Sequence, residues 1–164
     1  MTENRCNTVL VAYSALPKIL KDYDSAFRAR LQSSFMSAHL QRGVTTEKLV
    51  QEMLDINGRK LAMLQLKEIV ERAAGSIPTE LSNILVLRFV KGKTFQEIAD
   101  IENISVRTAF RRFDRARDSF AAALDRLGLD EATFRKTYLT DPAVAAVCAR
   151  IDDGEYFTAK SLRE

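Results

Sequence analysis

Residues 94–117 read TFQEIADIENISVRTAFRRFDRAR, and this stretch decides the fold. Thr94 and Glu97 have the spacing of a capping box, in which each side chain accepts a hydrogen bond from the other residue's backbone N–H and so fixes the start of a helix. Asn103 stands where a left-handed residue can end that helix, and Asn tolerates this conformation better than most residues. Ser105 can then cap a longer helix. The stretch predicts a helix-turn-helix.

The helix after Ser105 has two unlike faces. At about 100° per residue, one stripe is apolar and comprises Ala109, Phe113, Ala116, Phe120, Leu124 and Leu127. The opposite side carries Arg107, Arg111 and Arg115, with Arg112 beside them. Asp114 and Asp118 lie farther along this side, where they would repel DNA or pair with Arg111 and Arg115. The pattern predicts a packing face and a basic face on one helix.

The start of this helix is suited to an anion. Ser105 has Thr108, not Glu or Gln, three residues on, so the first turn has no carboxylate of its own. Its backbone N–H groups and its positive dipole end can therefore attract a phosphate. A basic stripe alone is more often just a solvated helix face. The cap, the turn and the anion-friendly start together favour DNA binding.

The rest of the chain also has helical spacing, which predicts an all-α protein. One long helix, or two that meet near Pro17, is expected from Thr8 to about Gln41. Its apolar stripe comprises Leu16, Ile19, Leu20, Tyr23, Phe27, Leu31 and Phe35. Thr46 is expected to cap the next helix, and Asn57-Gly58 is expected to break it before a further helix at Leu61.

Three regions are predicted, with the clearest boundary at Gly75-Ser76-Ile77-Pro78, where Gly can leave a helix and Pro cannot continue one. Residues 1–75 form an N-terminal helical region, which we expect to dimerise or hold a partner because its apolar stripe is long. Residues 76–128 form the helix-turn-helix DNA-binding domain. Residues 129–164 form a short acidic helical tail.

Charge is unevenly distributed along the 164 residues. The net charge is only +3, but residues 88–117 hold eight Lys or Arg against four Asp or Glu, and residues 118–164 hold six against nine. A basic centre is typical of a protein that binds a polyanion.

Other kinds of site are not indicated. Cys6, Cys148 and the single histidine, His39, match no metal spacing, and no nucleophile elbow, zinc helix or Gly-rich phosphate loop occurs. We therefore expect no metal, no cofactor and no enzymatic activity. No apolar run reaches the ~18 residues of a membrane span. These features predict a cytoplasmic protein with no membrane partner.

Residues 77–124, IPTELSNILVLRFVKGKTFQEIADIENISVRTAFRRFDRARDSFAAAL, resemble region 4 of bacterial sigma factors of the sigma-70 family. The motifs are the Ile77-Pro78 start, the Gly92 turn, Glu97-Ile98-Ala99, Ile104-Ser105, and a final helix with Thr108, Arg112, Arg115 and Ala116. The flanking helices are also similar to small helical proteins of Firmicutes with a region 4-like core.

The resemblance implies that the early part of the second helix reads promoter DNA. The positions concerned are Ser105, Val106, Arg107, Thr108, Phe110, Arg111, Arg112 and Arg115. Arg88, Lys91 and Lys93 would lie near the DNA backbone. An Arg fork can bond guanine O6 and N7, whereas Lys contacts position the protein and are sensitive to salt.

These features predict a sequence-specific DNA-binding transcriptional regulator, with duplex DNA as partner and a homodimer possible. The alternative is a helical interaction protein that binds RNA polymerase or a sigma factor, since region 4 itself contacts polymerase and a fold alone does not choose. A small sigma factor-like protein is a further alternative. We find no region 2 in residues 1–75, where the aromatic residues have core spacing, so we expect the chain not to be a complete sigma factor.

Overall fold

The structure is a computed structural model that describes residues 2–36 and 45–152. These residues form seven α-helices and one π-helical segment, with no strand among them. The elements are α1 (Thr2–Met36), α2 (Thr46–Gly75), α3 (Thr79–Leu85), the π segment (Val86–Val90), α4 (Phe95–Glu102), α5 (Val106–Arg126), α6 (Glu131–Thr137) and α7 (Pro142–Asp152). The predicted all-α class is confirmed.

The first two helices differ from what the sequence pattern indicated. α1 begins earlier, at Thr2, and continues through Pro17 as one helix, while its predicted end near Gln41 lies outside the described residues. α2 also runs unbroken through Asn57 and Gly58, so the predicted helix break there is wrong. A glycine inside a helix costs only about 1 kcal/mol, and burial of one face of a 30-residue helix outweighs that cost. The N-cap of α2 is Thr45, whose side chain accepts from the Lys48 N–H, and not Thr46 as predicted.

α1 and α2 pack side by side, and polar contacts join them along much of their length. Lys60 Nζ lies 2.6 Å from a carboxylate oxygen of Asp24. Nearer the far end, Arg30 Nε lies 3.1 Å from a carboxylate oxygen of Glu52. At the other end, the Tyr13 hydroxyl donates to Glu71. Because these groups are partly exposed, their contacts add little to stability. They mainly fix the alignment of the two helices along each other.

One hydrophobic core connects the helices. Its large, fully buried side chains include Leu16 of α1, Leu66 of α2, Phe89 of the π segment and Phe120 of α5. Phe134, in α6, belongs to the same buried cluster. The predicted division into three regions stays a prediction, but their apolar faces meet in this common core.

Arg5 anchors the beginning of α1 to the end of α5. Its side chain is only 7% exposed, and its guanidinium donates to the Asp125 carboxylate at 2.6 Å and to the Ala121 carbonyl oxygen at 3.2 Å. A buried guanidinium is costly unless it is paired and hydrogen-bonded. The contact therefore holds α1 against the part of α5 that lies behind the helix-turn-helix.

Asp141 joins the last helix to the first. It is buried and caps α7, since one carboxylate oxygen accepts from the backbone N–H groups of Ala143 and Val144. Its other oxygen accepts a hydrogen bond from the Tyr23 hydroxyl of α1. Burial, followed by this hydrogen bond to the carboxylate, raises the pKa of Tyr23 to about 12.

Replacing Tyr23 by Phe tests this contact. At neutral pH we expect the free energy of unfolding to fall by about 1 kcal/mol, since one hydrogen bond is lost. Tyrosine has a pKa of about 10 in an unfolded chain, so between about pH 10 and pH 12 the folded state keeps a proton that the unfolded state releases. The contribution is therefore complete below pH 10 and is lost as pH rises towards 12.

Urea unfolding of wild type and Tyr23→Phe, followed by circular dichroism, measures this. The difference between the two proteins should be constant from pH 7 to about pH 9 and should shrink or reverse by about pH 11. A difference that stays constant up to pH 11 would contradict the role given to Tyr23.

Candidate nucleic-acid interface

The short helix and the turn have the geometry that the sequence indicated. The Thr94 side chain accepts from the Glu97 N–H at 3.2 Å, and the Glu97 carboxylate accepts from the Thr94 N–H at 2.7 Å. At the other end of α4, Asn103 is left-handed, with φ 52° and ψ 49°. The Ile104 N–H then donates to the Ala99 carbonyl oxygen at 2.9 Å, which closes the turn.

α5 begins with Ser105 as its N-cap. The Ser105 hydroxyl oxygen accepts from the Thr108 N–H at 3.1 Å, and the two hydroxyl groups are 2.8 Å apart. The first turn of α5 holds no acidic residue. The positive end of the helix dipole thus has no carboxylate in its own first turn, and it lies beside the exposed Arg107.

The apolar and basic faces of α5 are separated as predicted. Ala109, Phe113 and Ala116 are buried, and the stripe continues to Phe120 and Leu124. The opposite face presents three exposed arginines, Arg107, Arg111 and Arg115. Within the described part of the chain, none of these three forms an ion pair. Their guanidinium groups are therefore available to an external anion.

Three other charged residues of this helix, Arg112, Asp114 and Arg117, are held by ion pairs, whereas Asp118 is exposed on the same side as the arginines. Arg112 is half-buried and lies 3.8 Å from carboxylate oxygens of Glu80 in α3 and of Glu102 in α4. Asp114 pairs with Arg117 at 2.7 Å, and not with Arg111, which was one expectation. Arg112 thus braces α5 against its neighbours, and its predicted role in DNA binding stays a prediction.

Phe110 is a large aromatic side chain that is 47% exposed beside the basic face. It stacks on Phe95, the first residue of α4, with ring centroids 4.0 Å apart. Phe95 in turn meets the buried Phe113 edge-on at 5.1 Å. An aromatic series therefore runs from the core to the surface and holds the Phe110 ring in place.

The residues predicted to lie near the DNA backbone differ in their surroundings. Lys91 is exposed. Lys93 forms an ion pair with Glu97 at 2.9 Å. Arg88 is half-buried, donates to the Lys93 carbonyl oxygen at 2.8 Å and lies over the Phe95 ring at 5.0 Å from its centroid. Burial lowers the pKa of Arg88. Arg88 therefore supports the loop before α4. Of the three residues, Lys91 is the exposed one.

Two features that hold this surface in place were not predicted from the sequence. Val86–Val90 is a π-helical segment, a widened turn that sequence periodicity does not reveal. It leads into Gly92, whose φ of 67° lets the chain reverse before Thr94. The carboxylates of Glu80 and Glu102 were not predicted to meet at Arg112, since they come from two different helices. Only packing brings them together.

The described residues give little support to a metal site, to a reactive thiol or to a membrane span. They contain no group of three or more His, Cys, Asp or Glu that could hold a metal. Burial raises the pKa of the Cys6 thiol to about 12, which makes it a poor nucleophile. His39 lies outside the described residues. No described helix is long and apolar enough to cross a membrane.

The fold and this surface define a helix-turn-helix protein. Residues 67–119 match the family model described as Sigma-70, region 4. No curated protein and no solved structure matches the chain. The match runs from within α2 into α5, and it confirms that this segment is sigma-70 region 4-like. Modules of this class typically bind DNA and RNA polymerase. The likeness to Firmicutes proteins stays a prediction.

Asn103 offers a test of the turn. Alanine in the left-handed conformation costs about 1–2 kcal/mol, whereas glycine adopts it freely. Asn103→Ala should therefore lower the free energy of unfolding by about 1 kcal/mol, and Asn103→Gly should change it by less than about 0.5 kcal/mol. Chemical denaturation of both variants measures this.

Asn83 provides a matched control, because it is an exposed asparagine inside α3 with ordinary helical neighbours. Asn83→Ala should be neutral or slightly stabilising, since alanine is the better helix former. An equal loss of stability in Asn83→Ala and Asn103→Ala would show that the left-handed turn is not the cause.

Proposed function

We propose that this protein is a bacterial transcriptional regulator that binds duplex DNA of the promoter type and reads it in the major groove through the first turns of α5. The observation that carries the proposal is the face of Arg107, Arg111 and Arg115 on the second helix of a region 4-like module, where all three are exposed and none pairs with an acidic residue in residues 2–36 or 45–152. In this role the chain is not an enzyme, needs no cofactor and works in the cytoplasm, where promoter DNA lies.

Spacing on the helix supports groove reading. The three arginines are four residues apart, so they project in one direction over about 12 Å of helix axis. The major groove admits a helix, and an Arg fork matches the O6 and N7 atoms of guanine. The lysines of the turn are better suited to phosphates, because an ammonium group is a point charge without a fixed fork.

Phe110 gives this face an apolar component. An aromatic ring in the groove contacts the methyl group of thymine, which only A·T pairs present. Its stack on Phe95 fixes the ring before DNA binds, so less side-chain entropy is lost on binding. We therefore propose a target that combines guanines near the arginines with a thymine near Phe110.

Arg111→Ala tests the proposal. Bound sequences are first selected from a random duplex pool, and the affinity for the selected site is then measured at two salt concentrations. Loss of one Arg–guanine pair, worth about 1–3 kcal/mol, should weaken binding by about tenfold or more. Wild-type affinity itself should fall steeply with salt, because phosphate contacts release counterions.

Arg126→Ala is the matched control, since Arg126 is exposed in the last turn of the same helix and its removal changes the net charge equally. It should leave the affinity for the selected site nearly unchanged. The proposal fails if wild type binds no duplex at low salt, or if the two variants lose affinity equally.

A second candidate function is binding to RNA polymerase or to a sigma factor, with DNA contact secondary. The observation that favours it is an apolar groove of about 280 Å³ between α1, α2 and the π segment, with the exposed Val86 and Val90 at its edge. Exposed apolar side chains that line a groove are typical of contact surfaces. A small sigma factor-like protein would use both surfaces.

Co-purification with core RNA polymerase, followed by run-off transcription, separates these alternatives. A Val86→Glu/Val90→Glu variant should lose polymerase but keep DNA binding if the groove serves polymerase. Transcription from the selected site by core polymerase plus this protein alone would identify a sigma factor-like activity. If wild type does not co-purify with polymerase, the second candidate is wrong.

A further inference from the structure

The outer face of α2 is apolar, and none of the other residues that the structure describes covers it. Val50, Leu54, Leu61 and Leu64 are exposed by 48%, 59%, 52% and 41%. They lie opposite the face that packs into the core through Met63, Leu66 and Val70. Their spacing of four, seven and three residues is that of a helix–helix seam. We call these four residues the α2 seam. The sequence indicated a long apolar stripe on α1, but much of that stripe, including Leu16 and Ile19, is buried in the core.

One residue at the middle of the α2 seam is unusual for an apolar helix face. Asn57 falls on the seam itself, where a polar residue fixes the register of a helix pair. Gly58 follows it but lies to one side of the seam, in a cleft that it lines with Thr137 and Asp141 of the same chain. Asn57 is therefore the residue that marks the middle of the seam.

Charge along α2 indicates what kind of helix approaches. Glu52 and Lys60 are already paired with α1. Without these two, the first part, residues 46–57, holds two acidic residues and one basic residue. The second part, residues 58–72, then holds three basic and two acidic residues. If a second α2 helix lies antiparallel, the acidic part of each helix lies beside the basic part of the other. If it lies parallel, the two acidic parts lie side by side, and so do the two basic parts. The helix dipoles also oppose favourably in the antiparallel arrangement.

We propose that a second copy of this chain docks on the α2 seam, with the two α2 helices antiparallel and the two-fold axis near Asn57. Leu54 then packs against the partner's Leu61, and Val50 packs against the partner's Leu64. The interface is isologous, so each copy uses the same surface and the two α2 seams cover each other. Both α1 helices lie on the outside of the resulting four-helix arrangement.

A consequence concerns the target site, and this part alone rests on the proposed function. A two-fold dimer carries two copies of the α5 face, so the selected DNA should contain an inverted repeat. Its half-sites should be separated by about one helical turn or a multiple of it. Dimerisation itself is measured without DNA, so its failure and the failure of DNA binding are distinguishable.

Sedimentation equilibrium of the full chain tests the dimer. Wild type should reach twice the 18.5 kDa of one chain at micromolar concentration. Leu54→Glu/Leu61→Glu, checked by circular dichroism to be folded, should remain at the mass of one chain or dimerise at least about tenfold more weakly. Ile101→Glu is the matched control, because Ile101 is 55% exposed on α4, away from the seam, and this variant should dimerise like wild type.

Cysteine cross-linking tests the orientation, since the native Cys6 and Cys148 are both buried. Asn57→Cys should form a disulfide between copies on mild oxidation. Val50→Cys should not, because in the antiparallel pair its two copies lie about 20 Å apart along the helix axes. Efficient cross-linking of Val50→Cys together with failure of Asn57→Cys overturns the antiparallel arrangement.

Two results overturn the proposal as a whole. One is a wild-type protein that stays at the mass of one chain up to about 100 μM. The other is a seam variant that dimerises like wild type but no longer co-purifies with core polymerase, because the seam then serves that protein and not a second copy.

Discussion

Burial of one stripe of α5 is the constraint on which the rest of the structure depends. Phe113 and Phe120 fill space in the core, and Ala109 and Ala116 are small enough for neighbouring helices to approach. Each buried Phe contributes about 1.5–3 kcal/mol. Helices α1, α2, α3 and α4 all contact α5. Because this stripe is fixed in the core, the opposite side of the helix must face solvent, and the chain places its arginines there.

Competition among charges decides which arginines stay available. Arg112 lies between two carboxylates, and Arg117 is taken by Asp114 and by the Phe113 ring. The arginines of α5 up to Arg117 therefore fall into two groups. Arg107, Arg111 and Arg115 are exposed, whereas Arg112 and Arg117 are held by contacts within the protein. A module of this region 4-like class thus separates the residues that hold its helix in place from those that can meet a partner.

Several features followed from the sequence because they depend on neighbours in the chain. The capping box of Thr94 and Glu97, the left-handed Asn103 and the two faces of α5 are all present as predicted. Features that depend on distant residues were missed. α2 continues through Gly58 because its length is stabilised by packing, and the π segment before Gly92 has no periodic signature. The roles of the predicted DNA-binding residues stay predictions.

The sequence by itself determined an all-α chain with a region 4-like helix-turn-helix, because helical periodicity, caps and turns are local and act within a few residues. Only the tertiary structure decided that Arg112 braces α5, that Arg5 reaches Asp125, and that an apolar face left open by the described residues lies on α2 and not on α1. These facts depend on which helix faces are covered. A pattern of apolar residues predicts that one face of a helix is buried, but it does not show which other part of the structure covers that face.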